Sequence, residues 1–206
     1  MKRKSSGMVT SIIYGNFPLM VVVVFCFLLG ISLGTFTELL LSADAKESMR
    51  QFLDFHLLLS GLTGDLLGDL FLVSAAANLS LFLIILLSGL TVVGFPAALL
   101  VLLYKGAALG FSAALLMDAF DAKGVLMVLL TLLPPNLILA PALCGAAVAS
   151  LRLAFDLLSD SPLQLKKNLA QRAGPFMTFQ ALMAILVLLG CFIESFISPL
   201  LQRLLG

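Results

Sequence analysis

LFLVSAAANLSLFLIILLSGLTVVGFPAALLVLLYKGAALGFSAALL, residues 70–116, decides the fold. It is apolar almost throughout. As one helix rising 1.5 Å per residue it would measure about 70 Å, against a hydrocarbon core of about 30 Å. The run must therefore fold back, and Gly94-Phe95-Pro96 is where it can. Proline has no N–H to continue a helix, and glycine frees the backbone beside it. Working outward, further apolar runs of about spanning length lie at 17–37, 125–151 and 176–197. The expected spans are thus 17–37, 70–93, 97–117, 125–151 and 176–197. That is an all-α fold, a polytopic membrane bundle of five transmembrane helices in a single integral membrane domain covering residues 1–206.

Composition leads to the same class. Hydrophobic residues make up 61% of the 206 and charged residues 11%, whereas soluble globular proteins average about 45–50% and 25%. Too little polar surface exists to coat a water-facing globule, and disorder needs the opposite balance. The net charge of +1 gives no reason to expect nucleic acid as a partner. Cys26, Cys144 and Cys191 all sit in apolar runs and read as packing residues. The first run follows Lys2, Arg3 and Lys4, as a signal peptide would. It is longer than a signal h-region of about 7–15 residues, however, and reads as a retained span.

Lysine and arginine set the orientation. With the N-terminus inside, the cytoplasmic side holds Lys2, Arg3, Lys4, Arg152, Lys166, Lys167 and Arg172. The outside holds Lys46, Arg50, Lys123 and Arg203. This predicts N-in and C-out. The outer loop, about 38–69, is expected to carry a short interfacial amphipathic helix. Asp44 and Glu47 fit a capping box. Met49, Phe52, Leu53, His56 and Leu57 would share its apolar face. The inner loop, about 152–175, is expected to carry a turn at Asp160-Ser161-Pro162 and a short basic helix.

Catalytic signatures are sparse. His56 is the single histidine, which excludes a His-Glu-x-x-His zinc site. The sequence contains no P-loop, no dinucleotide fingerprint and no Gly-x-Ser-x-Gly turn. No catalytic residue, metal ligand or cofactor site is expected. Packing signals are richer. Gly30 and Gly34 lie four apart on the first span, and Gly106 and Gly110 lie four apart on the third. Small residues at this spacing let helix backbones approach closely. Packing within one chain and a homodimer face both remain open for them.

Leu133-Pro134-Pro135-Asn136, followed by Pro141, lies in the fourth span. Each proline removes an N–H, releasing the carbonyls of Leu130, Thr131 and Leu137. Irregular backbone at membrane depth must face protein or water. Lys105, about 13 Å in from Pro96, and Asn136, about 16 Å from the other face, come out at nearly one depth. Lys105 is therefore expected either to cross to the acceptors around Asn136 or to extend to the cytoplasmic interface beside Tyr104. Glu194 is expected at the outer end of the last span, where it would join the 38–69 loop in a docking surface.

Several of these stretches resemble one family. Phe27-Leu28-Leu29-Gly30-Ile31-Ser32-Leu33-Gly34, Asn78, Gly89, Gly94-Phe95-Pro96 and Lys105-Gly106-Ala107-Ala108-Leu109-Gly110-Phe111 look like its first three spans. Leu133-Pro134-Pro135-Asn136 with Ala140-Pro141-Ala142, and Glu194-Ser195-Phe196-Ile197-Ser198-Pro199, look like its later signatures. The order and spacing resemble stage II sporulation protein M of endospore-forming bacteria. Wider relatives tend to carry Pro-His-Gly and a Glu in the fourth span, where this chain has Pro135-Asn136 and no acid. The resemblance implies a non-catalytic scaffold in the bacterial cytoplasmic membrane, at the mother-cell septal or engulfing membrane. It implies partnership with stage II sporulation proteins D and P, which cut peptidoglycan, in septal thinning and engulfment. Membrane lipid is the other partner. A small transporter or channel using the proline-rich fourth span and Lys105 is the competing expectation.

Overall fold

The computed structural model describes residues 17–42, 44–49, 51, 66–91, 94–159 and 165–197. Among them the protein is all-helical, with no strand. In chain order the long helices are α1 (Phe17–Leu39), α2 (Leu66–Leu90), α3 (Phe95–Met127), α4 (Leu133–Ser159) and α5 (Leu165–Phe192). Five-residue π-helical turns, Val128–Leu132 and Ile193–Ile197, follow α3 and α5. Four stretches are long and apolar enough to cross a membrane: Phe17–Leu39, Phe71–Leu90, Phe95–Leu158 and Arg172–Ile197.

The chain folds back between α2 and α3 at the expected place. The Gly94 amide donates to Thr91 O at 3.1 Å, and the Ala97 amide donates to Gly94 O at 3.0 Å. Pro96 falls in the first turn of α3, where an N–H would have no helical partner. The 64-residue stretch from Phe95 to Leu158 is not one rod. At Asp121 the backbone takes φ 48° and ψ −123°, far from helical values. Gly124 then packs so closely on Leu116 that a Cβ there would overlap the Leu116 carbonyl oxygen. Residues from before the break (Leu109, Gly110, Ala113) and after it (Val128, Leu132, Asn136) line one groove, so the two parts lie side by side.

Several expectations need correction. The proline-rich segment does not interrupt its helix. Widening the backbone into a π turn over Val128–Leu132 lets helix resume at Leu133, with the Leu133 amide donating to Val128 O. Pro134 and Pro135 then occupy the opening turn of α4, where a missing N–H costs little. The basic segment before the last span is not a separate surface helix either, because α5 runs unbroken from Leu165 through Pro175. In the outer loop, residues 44–49 are helical. Their cap is Ser42 rather than Asp44: its Oγ accepts from the Ala45 amide at 3.4 Å. Phe52, Leu53, His56 and Leu57 lie outside the described residues.

The core is built where α2, α3, α4 and α5 meet, around Ile85, Leu102, Leu139, Leu143 and Val187. The tightest crossing joins α1 to α3, and its closeness comes from glycine. A Cβ on Gly30 would overlap the Leu103 carbonyl, and one on Gly34 the Ala107 carbonyl. From the other side, a Cβ on Gly106 would overlap Phe27 O, and one on Gly110 Ile31 O. The four glycines thus form one reciprocal backbone contact within the chain. Thr35 fastens it, its hydroxyl donating to Ile31 O at 3.0 Å and reaching Gly110 O at 3.4 Å.

A single methyl group should therefore discriminate among the glycines. Gly34→Ala or Gly110→Ala is expected to lower thermal stability in detergent by about 1–3 kcal/mol, since the clash is with backbone that cannot yield. Gly68→Ala, on α2 with nothing within 4 Å of the added carbon, should cause no loss. Thermal unfolding of the three variants measures this.

Candidate functional site

Inside the bundle, α2 carries Ser74 and Asn78 four residues apart in an otherwise apolar helix. They share one face, as i,i+4 residues do. Asn78 is only 3% exposed. Its Oδ1 accepts a hydrogen bond from the Lys105 ammonium of α3 at 2.7 Å. Its Nδ2 donates to Ser74 O at 3.0 Å and reaches Glu194 Oε2 at 3.4 Å. The Ser74 hydroxyl donates to the same Glu194 oxygen at 2.6 Å. Cys191, fully buried one turn before, points its thiol at Ser74 O at 3.7 Å. The result is a relay of cation, amide and carboxylate across three elements.

Chemically, the amide suits the middle position. One end accepts from an ammonium and the other donates to a carboxylate, so opposite charges are joined without direct contact. A lysine at mid-membrane costs about 2.5–3.5 kcal/mol on insertion scales. Hydrogen bonds to charged groups return about 1.5–3 kcal/mol each. Lys105 is held by α2 and not by the fourth span. The expected pairing with Asn136 and the carbonyls of 130–137 gives way because Asn78 presents an acceptor closer to hand. The π turn also leaves no broken backbone that needs a cation. Asn136 instead turns its Nδ2 back to Leu132 O, at 2.8 Å, in its own helix.

Glu194 is corrected too. It sits in the π turn Ile193–Ile197, half-buried and facing Ser74 and Asn78, so it is not a free carboxylate on the outer surface. Asn78 was visible in the sequence as part of a family pattern, but its role as bridge was not. The spacing of Ser74 and Asn78 in a hydrocarbon-like run was the available signal.

Two other polar ties complete the interior. Gln180 of α5, 1% exposed, donates to Ala146 O and Ser150 Oγ of α4, both at 3.0 Å. At the end of α1, Glu38 is 2% exposed, and its carboxylate pairs with Lys46 at 2.7 Å; Lys46 also meets Asp118 of α3 at 3.3 Å. At the opposite end Arg172 pairs with Asp156 at 3.5 Å, and the Phe95 and Phe155 rings lie 5.8 Å apart. The hydrogen bond from Glu38, aided by Asp118, holds the Lys46 ammonium above its ordinary value of 10.5.

Between α1, α3, the first π turn and α4 lies a groove of about 330 Å³. Its walls are apolar except for Thr35 and Asn136. Among the described residues no group of histidine, cysteine and carboxylates could hold a metal ion.

These features define a membrane helical bundle whose helices are tied by close glycine contacts and by buried polar bridges. The family model described as stage II sporulation protein M matches residues 23–199, most of the chain. The protein belongs to that family and is a sporulation-related membrane protein. Comparisons with curated proteins and with solved structures found no match.

Removing the bridge should hurt more than removing the charges together. Asn78→Leu is expected to destabilise the protein by about 3–5 kcal/mol, because it leaves Lys105 and Glu194 buried without their shared partner. The pair Lys105→Met with Glu194→Gln should cost less than the sum of the single changes, with a coupling of about 1–2 kcal/mol in a double-mutant cycle. At the surface, a raised lysine pKa favours the folded state below the unfolded value and loses that contribution as pH rises through the folded one. The Lys46 cluster should therefore weaken only above about pH 10. Lys46→Met should remove that alkaline step from a stability–pH profile.

Proposed function

We propose that the protein is a non-catalytic membrane scaffold that assembles and localises a peptidoglycan-degrading complex for septal thinning and engulfment during endospore formation. The observation that carries this reading is how the interior polar groups are used. Lys105, Asn78, Ser74 and Glu194 bind α2, α3 and the end of α5 to one another. Gln180 binds α5 to α4. Groups bonded to neighbouring helices in this way hold a fixed platform. Family membership supports the sporulation setting. The partners in this reading are stage II sporulation proteins D and P, met on the outer face of the mother-cell septal membrane.

In this reading the chain crosses five times, N-in and C-out, with the turn at Asp121 separating the third and fourth crossings. The lysine and arginine count supports the orientation. The collection of Glu38, Lys46 and Asp118 at one end and of Asp156 and Arg172 at the other supports the alternation. The outer segment anchored by Lys46 is the docking surface.

Reporter fusions after residues 60, 95, 121, 165 and 206 should read outside, inside, outside, inside, outside. Full-length protein from sporulating cells should co-purify with both peptidoglycan-cutting partners. Deleting residues 44–60 should lower that recovery several-fold while membrane insertion persists. An inside C-terminus would contradict the topology, and absence of both partners from the purified protein would contradict the scaffold.

A further inference from the structure

The groove between α1, α3 and α4 contains an unanswered polar group. Asn136 lies in its wall, half-buried, with Ala140 one turn further along α4 and Gly110 and Ala113 opposite. The amide uses one N–H on Leu132 O. Its Oδ1 accepts no hydrogen bond from any described residue, and its second N–H has no acceptor. Asn136 lies twelve residues past Gly124, so it is about 18 Å from the turn at 1.5 Å per residue. That is near the middle of a core about 30 Å thick. Water cannot answer the amide there, and an unanswered amide in an apolar medium costs about 2–7 kcal/mol.

What fills the groove must therefore be apolar over most of its length and carry a hydrogen-bond donor at mid-membrane. A lipid acyl chain supplies the first and not the second. A second copy is poorly matched as well. The exposed hydroxyls of Ser32, Ser80 and Thr178 each already donate their proton to a carbonyl of their own helix. The small residues Gly110, Ala113 and Ala140 leave a hollow deep enough for a few side chains and too small for a whole helix, which is how one helix receives the knobs of another. We infer that this groove seats one transmembrane helix of a partner protein, largely apolar, whose central serine, threonine or asparagine pairs with the Asn136 amide.

This inference rests on the scaffold reading and names the membrane-embedded contact for it. Leu137 lines the groove and is 69% exposed, so a photo-crosslinking phenylalanine derivative there disturbs no packed contact. Full-length protein carrying it would be irradiated in membranes of sporulating cells, and the attached peptide sequenced. The expected product is a transmembrane peptide of another protein with a polar residue near its centre. Adding Asn136→Leu should reduce that product roughly tenfold, since one interhelical polar contact is worth about 1–2 kcal/mol. Ala113→Leu, which fills the hollow without touching the amide, should reduce it comparably. Attachment only to lipid, or only to a second copy, would overturn the inference, as would a product unchanged by Asn136→Leu. In those cases recovery of the peptidoglycan-cutting partners by the unmodified chain would still stand as the separate measure of the scaffold.

Discussion

Hydrocarbon offers no hydrogen bonds, so a cation inside a membrane bundle must find its acceptor in the protein. The Lys105 ammonium finds it in Asn78, and much of the bundle follows from that bond. Asn78 can face Lys105 only if α2 lies beside α3. It can also reach Glu194 only if the end of α5 closes over the same point. The π turn at Ile193–Ile197 carries that carboxylate where Ser74 and Asn78 meet it. π turns stretch helical geometry and recur at functional positions. Here one turn contributes the anion of the relay, and the other, at Val128–Leu132, lets two prolines enter a helix without leaving it open.

Two different forces therefore hold the molecule. Where α2, α3 and α5 meet, hydrogen bonds between buried polar groups fix the arrangement. Where α1 meets α3, no polar bridge dominates, and close backbone contact takes its place. Without a hydrophobic drive between helices in lipid, intimacy of packing has to supply the attraction. Gly30, Gly34, Gly106 and Gly110 permit it by having nothing to put in the way. Surface ion pairs at the two ends, such as Lys46 with Glu38, organise the connections without carrying the interior.

The membrane class, the fold-back at Gly94 and the glycine pairs were legible in the sequence because each rests on a local rule: run length, a proline, a four-residue spacing. The fate of the fourth span was not. Three prolines within eight residues do remove three amide donors, but whether the backbone breaks or widens depends on where neighbouring helices press on it. Lys105 and Asn136 do fall at similar depth by counting residues along each span, yet depth says nothing about direction around the helix axis. Asn78 lay on the side of α2 that Lys105 faces, and that azimuth is set by tertiary packing. The reversal at Asp121 was bracketed by the sequence only as a polar interval between apolar runs. The positive φ that makes it a sharp turn carries no sequence signal stronger than an aspartate, one of the residues that tolerate it. Family resemblance identified the setting that residue chemistry could not reach alone.

The relay centred on Asn78 is the part of this account on which the fixed platform stands. Solid-state NMR of the protein in bilayers, with ¹⁵N at the Lys105 side chain and ¹³C at asparagine side-chain carbonyls, reads it directly through dipolar recoupling. The Lys105 Nζ signal should dephase strongly against the carbonyl carbon of Asn78 and not against that of Asn136, in keeping with an Nζ to Oδ1 distance of 2.7 Å. Dephasing against Asn136, or against neither asparagine, would contradict the account.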